Sequence, residues 1–147
     1  MQRGEERGQA TLLIVGFAFV LAMAVALVVD ASAAYLQRQG LDSVADGAAL
    51  RGADLGATGR EVYIGGVPLD RLDVTAAAVR GAVHDYLVTS GAYGRYPGLS
   101  FTVDVDRATS TVTVHVEAPL DLPLTVPGSP GTATVGATGS AIVVAER

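Results

Sequence analysis

The chain has 147 residues, half of them apolar, with a net charge of −5 and no cysteine. That length suits one anchor plus one compact domain rather than two independent domains. The acidic balance argues against nucleic acid as a partner, since neutralising phosphates needs a basic surface; the lack of Cys excludes disulfides, thiolate catalysis and Cys-ligated zinc.

The apolar excess is concentrated near the N-terminus. From Gly8 to Val29 no residue is charged. As a helix this run is roughly 33 Å long, enough to cross a hydrocarbon core of about 30 Å. A helix is required because no water is available there to satisfy backbone groups. Asp30 ends the run and marks the far interface. Arg3 and Arg7 place residues 1–7 in the cytoplasm, against Arg38 alone in range on the other side, so the bulk of the chain is expected outside. A cleaved signal peptide is the rival reading: Ala31-Ser32-Ala33 fits a small-x-small cleavage site. Against it, the run exceeds the about 7–15 residues of a signal's apolar region, and a helical pattern continues through the site. The expectation is therefore a single-pass anchor over residues 8–30 in a bacterial cytoplasmic membrane. All ten basic residues are Arg, beside abundant Ala, Gly and Val, as in a GC-rich bacterial genome. Gly16, Ala18, Ala22 and Ala26 are candidates for helix packing, because small residues four apart admit a second helix; the competing explanation is the abundance of Ala.

Residues 31–55 continue as a stem. Leu41, Val44, Ala45, Ala48 and Ala49 recur at helical spacing while Asp42, Ser43 and Asp46 face elsewhere. The helix is expected to reach about Ala53 and end at a Gly56–Gly59 loop, with a kink at Gly40; Gly40 and Gly47 each weaken it by about 1 kcal/mol relative to Ala. Its apolar stripe must be buried against the C-terminal domain or neighbouring subunits.

Arg7-Gly8-Gln9-Ala10-Thr11 leads directly into the apolar run, followed by Asp30, Tyr35, Arg38, Leu41 and then Ala45-Asp46-Gly47-Ala48-Ala49-Leu50. In order and spacing, this resembles the TadE/TadG-like proteins of Flp pilus (tight adherence) assembly systems, over about the first 55 residues. The resemblance implies a pseudopilin-like component of an adhesion or secretion apparatus, with the membrane and other pilus or secretion subunits as partners and possible self-association. One departure is visible. Pilin-type precursors are cut after a Gly, with Glu five residues beyond; counted from Gly8, that position is Leu13. A minor or tip subunit, or an unprocessed protein, accommodates the uncharged residue.

Residues 56–147 are expected to form an extracytoplasmic α+β domain. Gly59 to Leu72 reads as a connection, with Gly65-Gly66 and Pro68. Asp73 or Thr75 caps a second helix whose apolar face is Ala76, Val79, Val83, Tyr86 and Leu87, stopping at Gly91. Tyr93 to Gly98 is a turn. The period then changes to two: Phe101, Val103 and Val105, a turn over Arg107–Ser110, and Val112, Val114 and Val116 form an antiparallel hairpin. Leu120, Leu122 and Leu124 continue the alternation, but Pro119 and Pro123 restrict that piece to an edge or bulge. After a Pro127–Gly131 loop, Ala133, Val135, Ala137, Ala141 and Val143 form a last strand. The stem and second helix should cover one face of a three- or four-stranded antiparallel sheet, a pilin-like layout.

The chain shows no pattern for chemistry. His84 beside Asp85 fits a polar helix face better than a general base, because no second His or nucleophile is spaced to join it. His115 points away from the hairpin's apolar face. Asp104 and Asp106 are two carboxylates on one strand face, not a loop of oxygen ligands. Gly59, Gly65 and Gly66 do not make a phosphate loop, and Ser90 and Ser100 lack a neighbouring base. Neither catalysis nor a cofactor is expected. For Asp30 two readings stand: an interface marker, or a contact with an Arg of a partner subunit. The leading function is a structural component acting through helix packing and protein contacts; the alternative is a membrane-tethered, or cleaved and secreted, binding module.

Overall fold

No proline precedes Pro68, so nothing upstream forces a break in helical backbone, and one helix, α1, runs from Glu5 to Glu61 in the computed structural model of the protein. The structure describes residues 5–61, 70–106, 108–124 and 131–143. At 1.5 Å per residue, α1 is about 85 Å long. It outruns the expected end near Ala53: Gly56 and Gly59 lie within its last turns. A glycine costs a helix about 1 kcal/mol, too little to end one whose preceding turns are held by packing. α1 also passes Gly40 unbroken.

The packed part is the stem. Leu41, Val44, Ala45, Ala48, Ala49 and Ala53 are buried, at the three- and four-residue spacing that puts them on one side of α1. Helix α2, Asp70–Thr89, lies alongside. It starts before the expected Asp73 or Thr75, at an Asp two residues past Pro68; an acid is favourable at the positive end of a helix dipole. The connection is thus shorter at both ends than expected, and its middle, with Gly65, Gly66 and Pro68, lies outside the described residues. Val79, Val83 and Leu87 are the buried face of α2 and Tyr86 is half-buried; Ala76, expected on that face, is exposed, and burial starts one turn later at Val79. Gly91, at φ +70, ends the helix in the left-handed conformation that a side chain resists. Its N–H donates to the Val88 carbonyl at 3.1 Å. The expected turn after it begins as a single helical turn, α3, Ala92–Arg95.

Three strands follow, β1 (Ser100–Asp106), β2 (Thr111–Asp121) and β3 (Thr132–Ile142), in the spatial order β1-β2-β3 and antiparallel throughout. The register pairs Val103 with Val114 and Val114 with Gly139, Phe101 with Val116 and Val116 with Ala137. One face is therefore apolar across all three strands, while the other carries Thr102, Asp104, Thr113, His115, Thr138 and Ser140. Pro119 pairs with Thr134 beyond the Ser100–Glu117 end of the β1 ladder. From Ala118 onward β2 has only β3 beside it, which is where a residue without an N–H fits. The expected Pro127–Gly131 loop falls outside the described residues except for Gly131.

Helices α1 and α2 cover the apolar face, giving two layers with the core between. Leu41, Leu87, Val79, Val83, Val112, Val114 and Val116 are its largest fully buried side chains, each contributing about 1.5–3 kcal/mol by leaving water. Glycines set the spacing. At Gly139 an added Cβ would fall on the main chain of Ala45, so α1 crosses β3 backbone to backbone. At Gly52 it would meet Val79, Val112 and Val83 at 3.1–3.3 Å. Gly47 and Gly40 receive the rings of Tyr86 and Tyr96, whose hydroxyls occupy the space a Cβ would take.

These glycines are notches, which reverses the usual sign of a substitution. Gly→Ala in an exposed helix gains about 1 kcal/mol. Gly47→Ala instead pushes Cβ to 2.7 Å from the Tyr86 Cζ, and a net loss of about 1 kcal/mol is expected. In a Tyr86→Ala background the same change should stabilise. A double-mutant cycle by denaturant unfolding in mild detergent measures the difference.

Candidate functional site: the anchor helix and its clamp

The candidate functional surface is α1 itself. Between Gln9 and Val29 every large apolar side chain is exposed, from Leu12 at 78% to Val29 at 39%. The window has a mean hydropathy of 3.1 and none of it is buried inside the protein. An isolated apolar helix of that length is stable only if something other than water surrounds it. Gly16, Ala18 and Ala22 stand open on it, with nothing within 4 Å of a Cβ added at Gly16; Ala26 is partly covered.

Domain contacts begin where the apolar run ends. The Asp30 Oδ1 accepts a hydrogen bond from the Leu124 N–H at 3.0 Å. Two turns on, the Gln37 Nε2 donates to the carbonyls of Ala118 and Pro119, at 3.3 and 3.2 Å. Those carbonyls belong to the part of β2 that has run past β1. Leu41 follows in the core. Asp30 and Gln37 thus fasten one side of α1 to the end of β2 and the segment that follows it. Asp30 has a partner within its own chain, a backbone N–H, in addition to marking the end of the run.

The motif positions divide in two. Leu41, Ala45, Ala48 and Ala49 are buried in the domain; Tyr35 (68%), Arg38, Asp46 and Leu50 (60%) are exposed, with Leu36 beside them. The first group builds the fold. The second offers aromatic, aliphatic and charged side chains outward along the rod. Sequence reasoning missed Gln37, Leu124 and Gly139. Gln37 stands in a polar Gln37-Arg38-Gln39 run, so its residue type does not set it apart from its neighbours. A backbone donor such as that of Leu124 leaves no signal.

The remaining polar groups fit local structural tasks. His84 is 54% exposed and its Nδ1 lies 3.8 Å from the Asp85 carboxylate; its ring stacks loosely on Tyr93 and Phe101, at 6.0 and 6.3 Å. His115 Nδ1 and the Thr138 Oγ1 are 2.9 Å apart across the polar sheet face. Among the described residues no three His, Asp or Glu side chains converge. The edges of the sheet differ. β1 carries Asp104 and Asp106, whereas β3, Thr132–Ile142, has no charged residue and no proline along its length, and among the described residues no strand pairs with its outer side. Edges without charge or proline are the ones open to pairing.

Asp106 shapes the hairpin turn. Its Oδ1 accepts from the N–H groups of Ala108 at 2.8 Å and Thr109 at 3.4 Å, over a turn that holds Ser110 at φ 53. Those bonds, Ala108's foremost, hold the carboxyl below its ordinary range. A carboxylate favoured by the fold adds stability above the unfolded value, near pH 4, and loses it as pH falls through the lower folded value. Asp106→Ala should therefore lower Tm at neutral pH, and the gap from the unmodified protein should close on acidification below the carboxylate range; melting curves across pH check it.

Residues 8–55 match the family model Tad, described as TadE/G-like Flp pilus-assembly. The match covers the exposed apolar run and the core-forming stem, and it contains Gly8, Asp30 and the Ala45–Leu50 run that carried the resemblance. No curated protein and no solved structure matches the chain.

Proposed function

We propose that the protein is a membrane-anchored structural subunit of a Flp-type pilus-assembly or secretion apparatus, pseudopilin-like, with its α+β domain outside the cytoplasm and residues 1–7 inside. It acts by helix packing and protein contacts and catalyses nothing. The observation that carries this reading is the continuity of α1: one helix is apolar and exposed over its first half and forms a wall of the domain core over its second. The domain cannot swivel on its anchor, as a tethered binding module on a linker would. A rigid rod with a fixed head suits a part that must stack against neighbours in register. The family match over residues 8–55 supports the same assignment, as do the outward Tyr35, Leu36 and Leu50.

Photo-crosslinking from positions 35 and 50, in cells that assemble the apparatus, tests it. Adducts with platform or filament subunits are expected. A protein that yields no adduct from either position and behaves as a lone monomer in mild detergent is not an assembly component. Loss of a soluble ligand rather than of filaments, on deleting the domain, would point to the tethered binding module.

A further inference from the structure

We propose that Leu122-Pro123-Leu124, the segment that leaves β2, is a second membrane contact lying in the lipid interface, with the Asp30 carboxylate holding it there. The inference rests on the anchor reading above, because the end of the lipid-facing run sets the depth. The run without charge ends at Asp30, which places that residue at the boundary of the hydrocarbon core. Asp30 bonds the main chain of Leu124 at 3.0 Å. The segment is therefore tied to the level of the membrane surface by a direct hydrogen bond.

Two further observations agree. Leu124 is 41% exposed and Pro123 is exposed, so the segment turns apolar side chains outward instead of into the core. The segment itself contains no charged residue, and the Leu122 N–H donates to the Gly131 carbonyl at 3.1 Å. An uncharged apolar segment at that depth gains by meeting acyl chains, where in water it would be an exposed patch. The nearest acid on the strand, Asp121, is exposed at the strand end just outside the segment. The carboxylate of Asp30 sits where it can reach headgroup water while its other oxygen serves the Leu124 N–H.

The chain has no cysteine, so single sites can be spin-labelled without background. Leu124→Cys, Val20→Cys and Ser140→Cys proteins, full length, are reconstituted into vesicles of phosphatidylethanolamine and phosphatidylglycerol. Collision with oxygen, which partitions into lipid, is compared with collision with a water-soluble nickel chelate. The label at position 124 is expected to be shielded from nickel several-fold relative to position 140, and less deeply than position 20. Position 124 as open to nickel as position 140, with position 20 shielded, overturns the proposal and leaves the anchor intact. Position 20 open to nickel sinks the anchor reading and this proposal with it. Shielding at 124 that disappears when the protein is diluted into excess lipid would mean that another copy covers it, which also overturns a lipid contact. Adding Asp30→Ala should cost position 124 most of its shielding; unchanged shielding removes Asp30 as the group that holds it.

Discussion

Gly139→Val is expected to destabilise the folded domain by about 3 kcal/mol or more, at the upper end of what overpacking does. Most overpacked sites relax by turning a neighbouring side chain. Here the added Cβ meets the carbonyl carbon and oxygen of Ala45 and the nitrogen of Asp46, all main chain. Relief requires α1 to lift away from β3, and the lift loosens every contact along the stripe from Leu41 to Ala53. Gly136, three residues earlier on the same strand, is the control. An added Cβ there meets the His115 ring at 3.2–3.4 Å, and a partly exposed ring can give way, so Gly136→Ala should cost much less. Thermal unfolding in mild detergent, followed by tyrosine fluorescence because the chain has five Tyr and no Trp, separates the two. At about 4–8 °C per kcal/mol for a domain of this size, the Gly139 variant should lose more than ten degrees.

A fragment of residues 30–147 should fold in water, and one of residues 56–147 should not. The first drops the exposed apolar half of α1 and keeps Asp30, Gln37 and the whole buried stripe. The second removes Leu41, Val44, Ala45, Ala48, Ala49 and Ala53, which form one wall of the core. Replacing fully buried Leu41 alone by Ala should cost about 2–5 kcal/mol, already a large part of the roughly 5–15 kcal/mol that holds a domain together. Loss of the entire wall leaves the apolar face of β2 and β3, on which α1 packs, to water. Circular dichroism and amide dispersion in NMR read the result: a cooperative transition for 30–147, and none for 56–147. A folded 56–147 fragment would show that the stem is an accessory and not part of the core.

Much of this was legible from the residues, for physical reasons that also explain what was not. The anchor and the stem stripe stand out because polarity and period are local properties, and burial of Leu41, Val44, Ala45, Ala48 and Ala49 follows from spacing alone. The alternation from Phe101 to Val116 likewise reports a sheet with one covered face, and Pro119 reports the place where a strand has lost one neighbour. The errors share a cause. Gly56 and Gly59 read as a helix end, and Gly40 as a kink, because glycine has a local cost. What decides Gly40 is a distant partner, Tyr96, as Tyr86 is at Gly47; through Gly56 and Gly59 the helix is carried on from the packed turns before them. Ala76 was placed on the core side of α2 by period, but period cannot say on which turn the packing starts. For Asp30, the sequence announces a costly position at the end of an apolar run. Its partner, a main-chain N–H, has no side-chain signature. The exposed motif positions Tyr35, Arg38, Asp46 and Leu50 are visible as a pattern, and only the fold separates them from the buried ones.

The close crossing of α1 and β3 joins an early part of the polypeptide to a late one: the middle of the first helix touches a strand near residue 139. Long separations of this kind delay folding, because the intervening loop must close before any contact repays it. During synthesis the apolar side of the stem that meets β3 therefore stays uncovered until the final strand arrives. During that interval it is available to a chaperone, so the order of synthesis sets the period in which the chain needs protection.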